Sequence, residues 1–197
     1  MLAGGKSRRL GQDKRQLPIA SPLPLLAETI ARVSLLSDDV IVAAGTDVPW
    51  PELGPTRFVL DAGPDCGPLG GICGGLAAVR HERALVVACD LPFLNLAVLR
   101  ALLRRTAGEA LVVPRRADGR LEMLHAIYDR ACLPTIQRRL ASRQLRLSDL
   151  AEALEQQGLG VRFVDEAELA AEDPELLSFF NVNTPEDLAR ARRLAGL

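Results

Sequence analysis

Ala84-Leu85-Val86-Val87-Ala88-Cys89-Asp90 is a short, continuous apolar run that ends on a carboxylate. A run of this kind predicts a strand covered on both faces, as in parallel sheets flanked by helices. Three more runs share the pattern: Asp39 to Gly45, Arg57 to Asp61 and Ala110 to Pro114. Between them lie helical periodicities over Leu23 to Leu36, Leu69 to Arg80 and Asn95 to Thr106, the last with Leu96, Leu99 and Leu103 on one face. Regular alternation of strand and helix requires crossover connections. The expected fold is therefore α/β: a single doubly wound, three-layer domain over residues 1–197 with a mostly parallel sheet.

The second half is less regular. Arg120 to Arg130 reads as a strand, Leu133 to Arg143 as a helix, and Leu147 to Gln157 as a further helix capped by Ser148. Val161-Arg162-Phe163-Val164 reads as a short strand. Thr184-Pro185-Glu186-Asp187 combines an N-cap residue, a proline at the first helical position and an acidic first turn, so a last helix should run to about Leu194.

Composition narrows the function classes. Hydrophobic residues make up 48% of the 197 and aromatics only 4%, so the core is aliphatic. A net charge of -1 gives no global attraction to nucleic acid or to an anionic membrane, and neither is an expected partner. No apolar run reaches membrane-spanning length and no signal peptide is evident, so the expected location is cytoplasmic. Cys66, Cys73, Cys89 and Cys132 show no C-x-x-C spacing, and His81 and His125 complete no zinc pattern. They read as free thiols in a reducing compartment.

Basic charge is instead local. Leu2-Ala3-Gly4-Gly5-Lys6-Ser7-Arg8-Arg9-Leu10-Gly11-Gln12-Asp13-Lys14 joins a glycine pair to four cations. Glycines let backbone N–H groups approach a ligand closely, and clustered cations suit a polyphosphate. The spacing fits neither a P-loop nor a dinucleotide fingerprint. In open parallel sheets, ligands bind beyond the carboxyl ends of strands. Asp61 and Asp90 both fall at such ends, and Asp61 leads into the turn-rich loop Gly63 to Gly71. A carboxylate facing a polyphosphate loop is a natural Mg²⁺ ligand, and Asp90 is the candidate.

The motifs also resemble a known family. The opening stretch, Gly67-Pro68-Leu69-Gly70-Gly71, Cys89-Asp90-Leu91-Pro92 and Asn181-Val182-Asn183-Thr184-Pro185-Glu186-Asp187-Leu188 are similar, in order, to the signatures of molybdenum cofactor guanylyltransferases. The resemblance implies a fold like that of nucleotide-diphospho-sugar transferases. It also implies GTP and molybdopterin as substrates, Mg²⁺ as cofactor, and transient contact with molybdoenzymes or other cofactor-biosynthesis proteins. The phosphate of molybdopterin would attack the α-phosphorus of GTP and release pyrophosphate. By the same resemblance Leu2, Ala3, Gly4, Gly5 and Gly67 lie against the nucleotide, Lys14 and Arg9 serve the phosphates, and Asp61 faces the nucleoside. Asp90 would bind the metal, and Asn181 and Asn183 would line the pterin side.

The chain departs from the family at two places. Gly45-Thr46-Asp47 stands where the family often has an Asn near the base. The family also carries a full strand before Leu-Ala-Gly-Gly, and here Met1 leaves almost none, so either upstream residues complete that strand or the sheet is built differently. Two other readings stand beside the first. One keeps the fold and changes the substrates, to a cytidylyltransferase or a sugar-phosphate nucleotidyltransferase. The other is a non-catalytic nucleotide-binding adaptor that delivers cofactor.

Overall fold

A computed structural model describes residues 1–4, 10–45 and 56–196. The described residues form six strands with helices between most of them: β1 (Val40–Ala43), β2 (Thr56–Val59), β3 (Arg83–Val87), β4 (Leu111–Arg115), β5 (His125–Asp129) and β6 (Val161–Asp165). Two ladders form, β1-β2 and β3-β5-β4-β6. Leu2 joins them through parallel bridges to Ala43 and to Ala88. Its N–H donates to the Val87 carbonyl and its carbonyl accepts from Cys89 N–H, at 2.8 and 3.0 Å. Ala3 N–H donates to the Ala43 carbonyl at 2.8 Å. Met1 and Leu2 thus lie between the two ladders, where a strand was expected before Gly4. Beside them, an apolar cavity of about 380 Å³ between β1 and β3 is lined by residues including Ile41, Ile72, Leu76, Leu85 and Val87.

Five strands run one way and β5 runs against them, pairing antiparallel with both β3 and β4. The mostly parallel sheet expected from the sequence is therefore present. The expected strand over Arg120 to Arg130 is shorter than its pattern. Arg116 to Arg120 form a hairpin turn closed by the Arg116 N–H to Arg120 carbonyl bond at 2.9 Å, so β4 reaches β5 without a helix. That local return is what makes β5 antiparallel.

Adjacent residues along the central strands face opposite layers. Val86, Leu111, Val113, Ala126 and Tyr128 pack under α2 (Gly67–Ala78), α4 (Leu133–Ala141) and α5 (Leu150–Glu155). Val87, with Val40 and Val42, packs under α1 (Leu25–Val33), whereas Val112 and Ile127 meet α3 (Leu96–Arg104). This alternation with period two, covered on both sides, produces the three layers. On α3 the buried stripe is Val98, Leu99, Ala101 and Leu102, and Leu103 is 37% exposed. The face expected at Leu96, Leu99 and Leu103 is rotated by about one residue, because the helix packs on two strands and needs a wider stripe.

Helix ends follow their chemistry. Asn95 accepts from Ala97 N–H at 2.8 Å and starts α3. Thr184 and Asp187 form a reciprocal capping box at α6 (Pro185–Leu194), as the sequence predicts. Ser148 does not cap: it lies inside a 3-10 turn, its hydroxyl is spent on the Asp149 carboxylate at 2.9 Å, and α5 begins at Leu150. The helix expected from Leu69 begins two residues earlier, so that Gly67 and Pro68 of the turn-rich loop already belong to the first turn of α2. Glycine is needed here for contact rather than for looping. A Cβ on Gly74 would lie 2.3 Å from the Leu60 carbonyl, so the helix can cross β2's exit only without one.

Candidate nucleotide site

A pocket of about 290 Å³ opens beyond the carboxyl ends of β1, β2 and β3. Leu2, Gly4, Lys14, Asp61, Gly67 and Asp90 all line it. These residues are scattered over nearly ninety positions of sequence, and the parallel sheet gathers them because its strands end together on one edge.

Asp90 sits in the turn after β3. Its Oδ2 accepts from Lys14 Nζ at 2.7 Å, with side chains 16% and 12% exposed. Its Oδ1 is buried and has no hydrogen-bond partner among the described residues. A buried carboxylate oxygen left in this state is costly unless a donor or cation completes it. Asp61 is half-buried, and burial raises its carboxyl above the usual range, partly offset by Gly45 N–H at 3.4 Å. The amino end of α2 closes another side through Gly67 and Pro68. Gly67 has φ +57°, a left-handed conformation that glycine adopts without strain, and it lets the chain turn directly into the helix. First-turn N–H groups and the helix dipole make such an end attractive to an anion. Cys89 also lines the pocket, but burial pushes its thiol up to about 12, so it stays protonated and is a poor nucleophile.

Three of the expected residues behave differently. Ala3 is fully buried among Leu26, Val42 and Val87 and does not line the pocket. Both its backbone groups are engaged, its carbonyl by Arg15 Nη1 at 3.0 Å. Asn181 donates to the Phe179 carbonyl at 3.2 Å, whereas Asn183 Oδ1 accepts from Lys14 Nζ at 3.1 Å. The two asparagines, expected to share one face, have separate partners because the chain between them is not a strand. Gly5 and Arg9, together with Lys6 and Arg8, lie outside the described residues.

Arg15 escaped the sequence reading. It forks onto Asp13 through Nε at 2.8 Å and Nη2 at 2.7 Å while Nη1 reaches Ala3. It thereby ties the two ends of the opening loop together, and holds Asp13 below the usual carboxylate range. The available signal was a cation directly after Lys14, which the count of basic residues in the opening loop left out. Among the described residues no cluster of three His, Cys, Asp or Glu could hold a metal by itself. The orphaned Asp90 Oδ1 nevertheless fits a hard cation that draws its other ligands from phosphate oxygens. Nor is any helix among them long and apolar enough to cross a membrane.

The model of the MobA-like NTP transferase domain matches residues 1–159. A probable molybdenum cofactor guanylyltransferase of Methanosarcina mazei is 33% identical over 95% of this chain and 86% of its own length. The molybdenum cofactor guanylyltransferase of Desulfosudis oleivorans is 34% identical over 97% of this chain and 92% of its own. Among solved structures, molybdopterin-guanine dinucleotide biosynthesis protein A from Archaeoglobus fulgidus superposes with a TM-score of 0.82 at 26% identity, covering 99% of this chain and 96% of that one. A 2-C-methyl-D-erythritol 4-phosphate cytidylyltransferase from Thermus thermophilus, at TM-score 0.71 and 18% identity, shares the fold. The family match over residues 1–159 and relatives at 33–34% identity over nearly the whole chain show that the chain belongs to the MobA-like NTP transferases, in the molybdenum cofactor guanylyltransferase family.

Proposed function

We propose that this protein transfers GMP from GTP to the terminal phosphate of molybdopterin, with or without molybdenum, and releases pyrophosphate. The observation that carries the reading is the pairing of Lys14 with Asp90 in a pocket closed by the amino end of α2, with Asp90 Oδ1 left without a partner among the described residues. The names of the relatives supply the substrate class. Residues 1–197 act as one nucleotidyltransferase domain, the N-terminal part holding the nucleotide and the C-terminal part the pterin.

The reaction is a direct in-line displacement. A terminal phosphate oxygen of the acceptor forms a bond to the α-phosphorus, and the bond to the α–β bridging oxygen breaks. Such transfer depends on alignment and charge neutralisation. Leu2, Gly4 and Gly67 form the surface against the nucleotide. Lys14 and Arg9 neutralise the triphosphate, and Asp61 meets the nucleoside. Ala3 contributes by anchoring the loop's entrance. Asn181 and Asn183 serve the pterin end. A divalent cation such as Mg²⁺, held by Asp90 together with phosphate oxygens, would supply further charge neutralisation. After transfer, the product passes to a molybdoenzyme or another protein of cofactor assembly.

Pyrophosphate release with molybdopterin and each nucleotide in turn tests the reading. GTP should be preferred over ATP by at least about 2 kcal/mol, the cost of leaving buried polar groups unpaired. Equal use of ATP removes the guanylyl assignment, and CTP preference selects the cytidylyl alternative. Binding without pyrophosphate release makes the protein an adaptor.

A further inference from the structure

The Asn181-Val182-Asn183 stretch is bolted to the nucleotide pocket. Val182 N–H donates to the Asp90 carbonyl at 3.0 Å, and Val182 is fully buried. Lys14 Nζ donates to Asp90 Oδ2 at 2.7 Å and to Asn183 Oδ1 at 3.1 Å. Asn183 is itself held, since its N–H and that of Thr184 both donate to Asp187 Oδ2 at 3.0 and 2.9 Å. Asp90, Lys14, Asn183 and Val182 therefore close a ring across three chain segments.

We infer that Asn183 is a positioning residue for Lys14, so that the segment assigned to the acceptor also sets the geometry of the phosphate-binding cation. The inference rests on the nucleotidyl-transfer reading of the pocket. A lysine ammonium is a point charge on a flexible stem, and one ion pair leaves its direction loosely defined. A second acceptor from another element fixes it. The chemistry of that acceptor matters. Asp90 is also the group that a divalent cation would claim, and a cation there competes with Lys14 for the same carboxylate. The neutral amide of Asn183 offers a hard cation far less, so it retains Lys14 when Asp90 is drawn away. An acceptor molecule touching Asn183 would then alter nucleotide affinity, and by linkage the reverse.

The test is a double-mutant cycle on nucleotide affinity, measured by calorimetry with a non-hydrolysable GTP analogue and Mg²⁺, without molybdopterin. Asn183→Ala should weaken binding by about tenfold, the scale of losing a hydrogen bond to a charged group. In a Lys14→Met background the same substitution should change affinity by less than about twofold, since its route is gone. Ser148→Ala, whose hydroxyl serves Asp149 away from the pocket, should leave nucleotide affinity unchanged. Equal losses from Asn183→Ala in both backgrounds, or no loss in the wild type, overturn the inference while leaving guanylyl transfer standing. A wild-type protein that binds no guanine nucleotide overturns both. If the Lys14→Met protein binds too weakly to measure, ¹⁵N-lysine spectra decide the matter, because Lys6 and Lys14 are the chain's two lysines. Asn183→Ala must then shift the Lys14 Nζ resonance and spare that of Lys6, and an unmoved Lys14 signal overturns the inference.

Discussion

Asp90→Asn preserves the size of the side chain and one acceptor oxygen while deleting its charge. In the free protein it leaves the Lys14 ammonium, 12% exposed and 2.7 Å from its present partner, facing a neutral amide. Two unit charges about 4 Å apart at an effective dielectric of about 20 attract by about 4 kcal/mol. Residual solvent and the remaining amide oxygen reduce the expected loss to about 2 kcal/mol, well short of a fully uncompensated buried charge. For a chain of this length that lowers Tm by about 4–8 °C, readable by calorimetry. Turnover should suffer far more, because the same charge is needed for the cation and for setting Lys14. We expect kcat/KM for pyrophosphate release to fall about 1000-fold, or about 4 kcal/mol of transition-state stabilisation. Folded protein with turnover within tenfold of wild type would refute this reasoning and move the cation elsewhere.

Gly74→Ala should destabilise the fold by about 1–3 kcal/mol despite alanine's better helix propensity, because its Cβ meets the Leu60 carbonyl; an unchanged or raised Tm would show that α2 can lift off at no cost. His125, packed edge-on to Phe179 at 4.9 Å with both ring nitrogens buried and without a hydrogen-bond partner among the described residues, has its pKa lowered to about 4 by burial, against a smaller opposing pull from Asp173. The unfolded chain takes up that proton near pH 6.5, so stability from the neutral ring is complete above pH 6.5 and is lost as pH falls toward 4. The loss reaches about 3 kcal/mol at the acid end. His125→Leu should flatten that part of the urea-denaturation pH profile, and an unchanged slope there would remove His125 as its source. Arg15→Ala should raise KM for GTP several-fold by freeing Ala3 from Asp13, and Arg15→Lys should not restore it, since the guanidinium forks onto two partners. Wild-type kinetics in Arg15→Ala would show that the loop ends hold without the fork.

Much of the fold was legible because its strands are continuous apolar runs whose adjacent residues are buried in opposite layers. Val86 and Val87, neighbours in β3, belong to different packing clusters. The α6 cap was legible because all its parts lie within four residues. Errors arose where a local signal served a tertiary need. Gly67 and Pro68 look like loop residues, yet they open α2, whose Gly70 and Gly71 sit where a Cβ would crowd Cys66, Asp61 and Leu2. Ser148 looks like a cap but is spent on Asp149.

In the site, the residue types and their approximate places were legible, since Lys14, Asp61 and Asp90 each carry a recognisable local context. Their partnerships were not. Ala3 reads like its neighbours in the glycine motif, and only packing shows its side chain turned into the core.

By itself, the sequence determined most of the strands and helices, the cap of α6, and a set of candidate residues for phosphate chemistry. These depend on backbone geometry and side-chain type within a few residues. Only the tertiary structure decided that β5 runs against its neighbours, that Leu2 bridges two ladders, and that Lys14 meets both Asp90, 76 residues away, and Asn183, 169 residues away. Contacts at such separations are selected by sheet order and by which surfaces can be buried together, and no local pattern encodes either one.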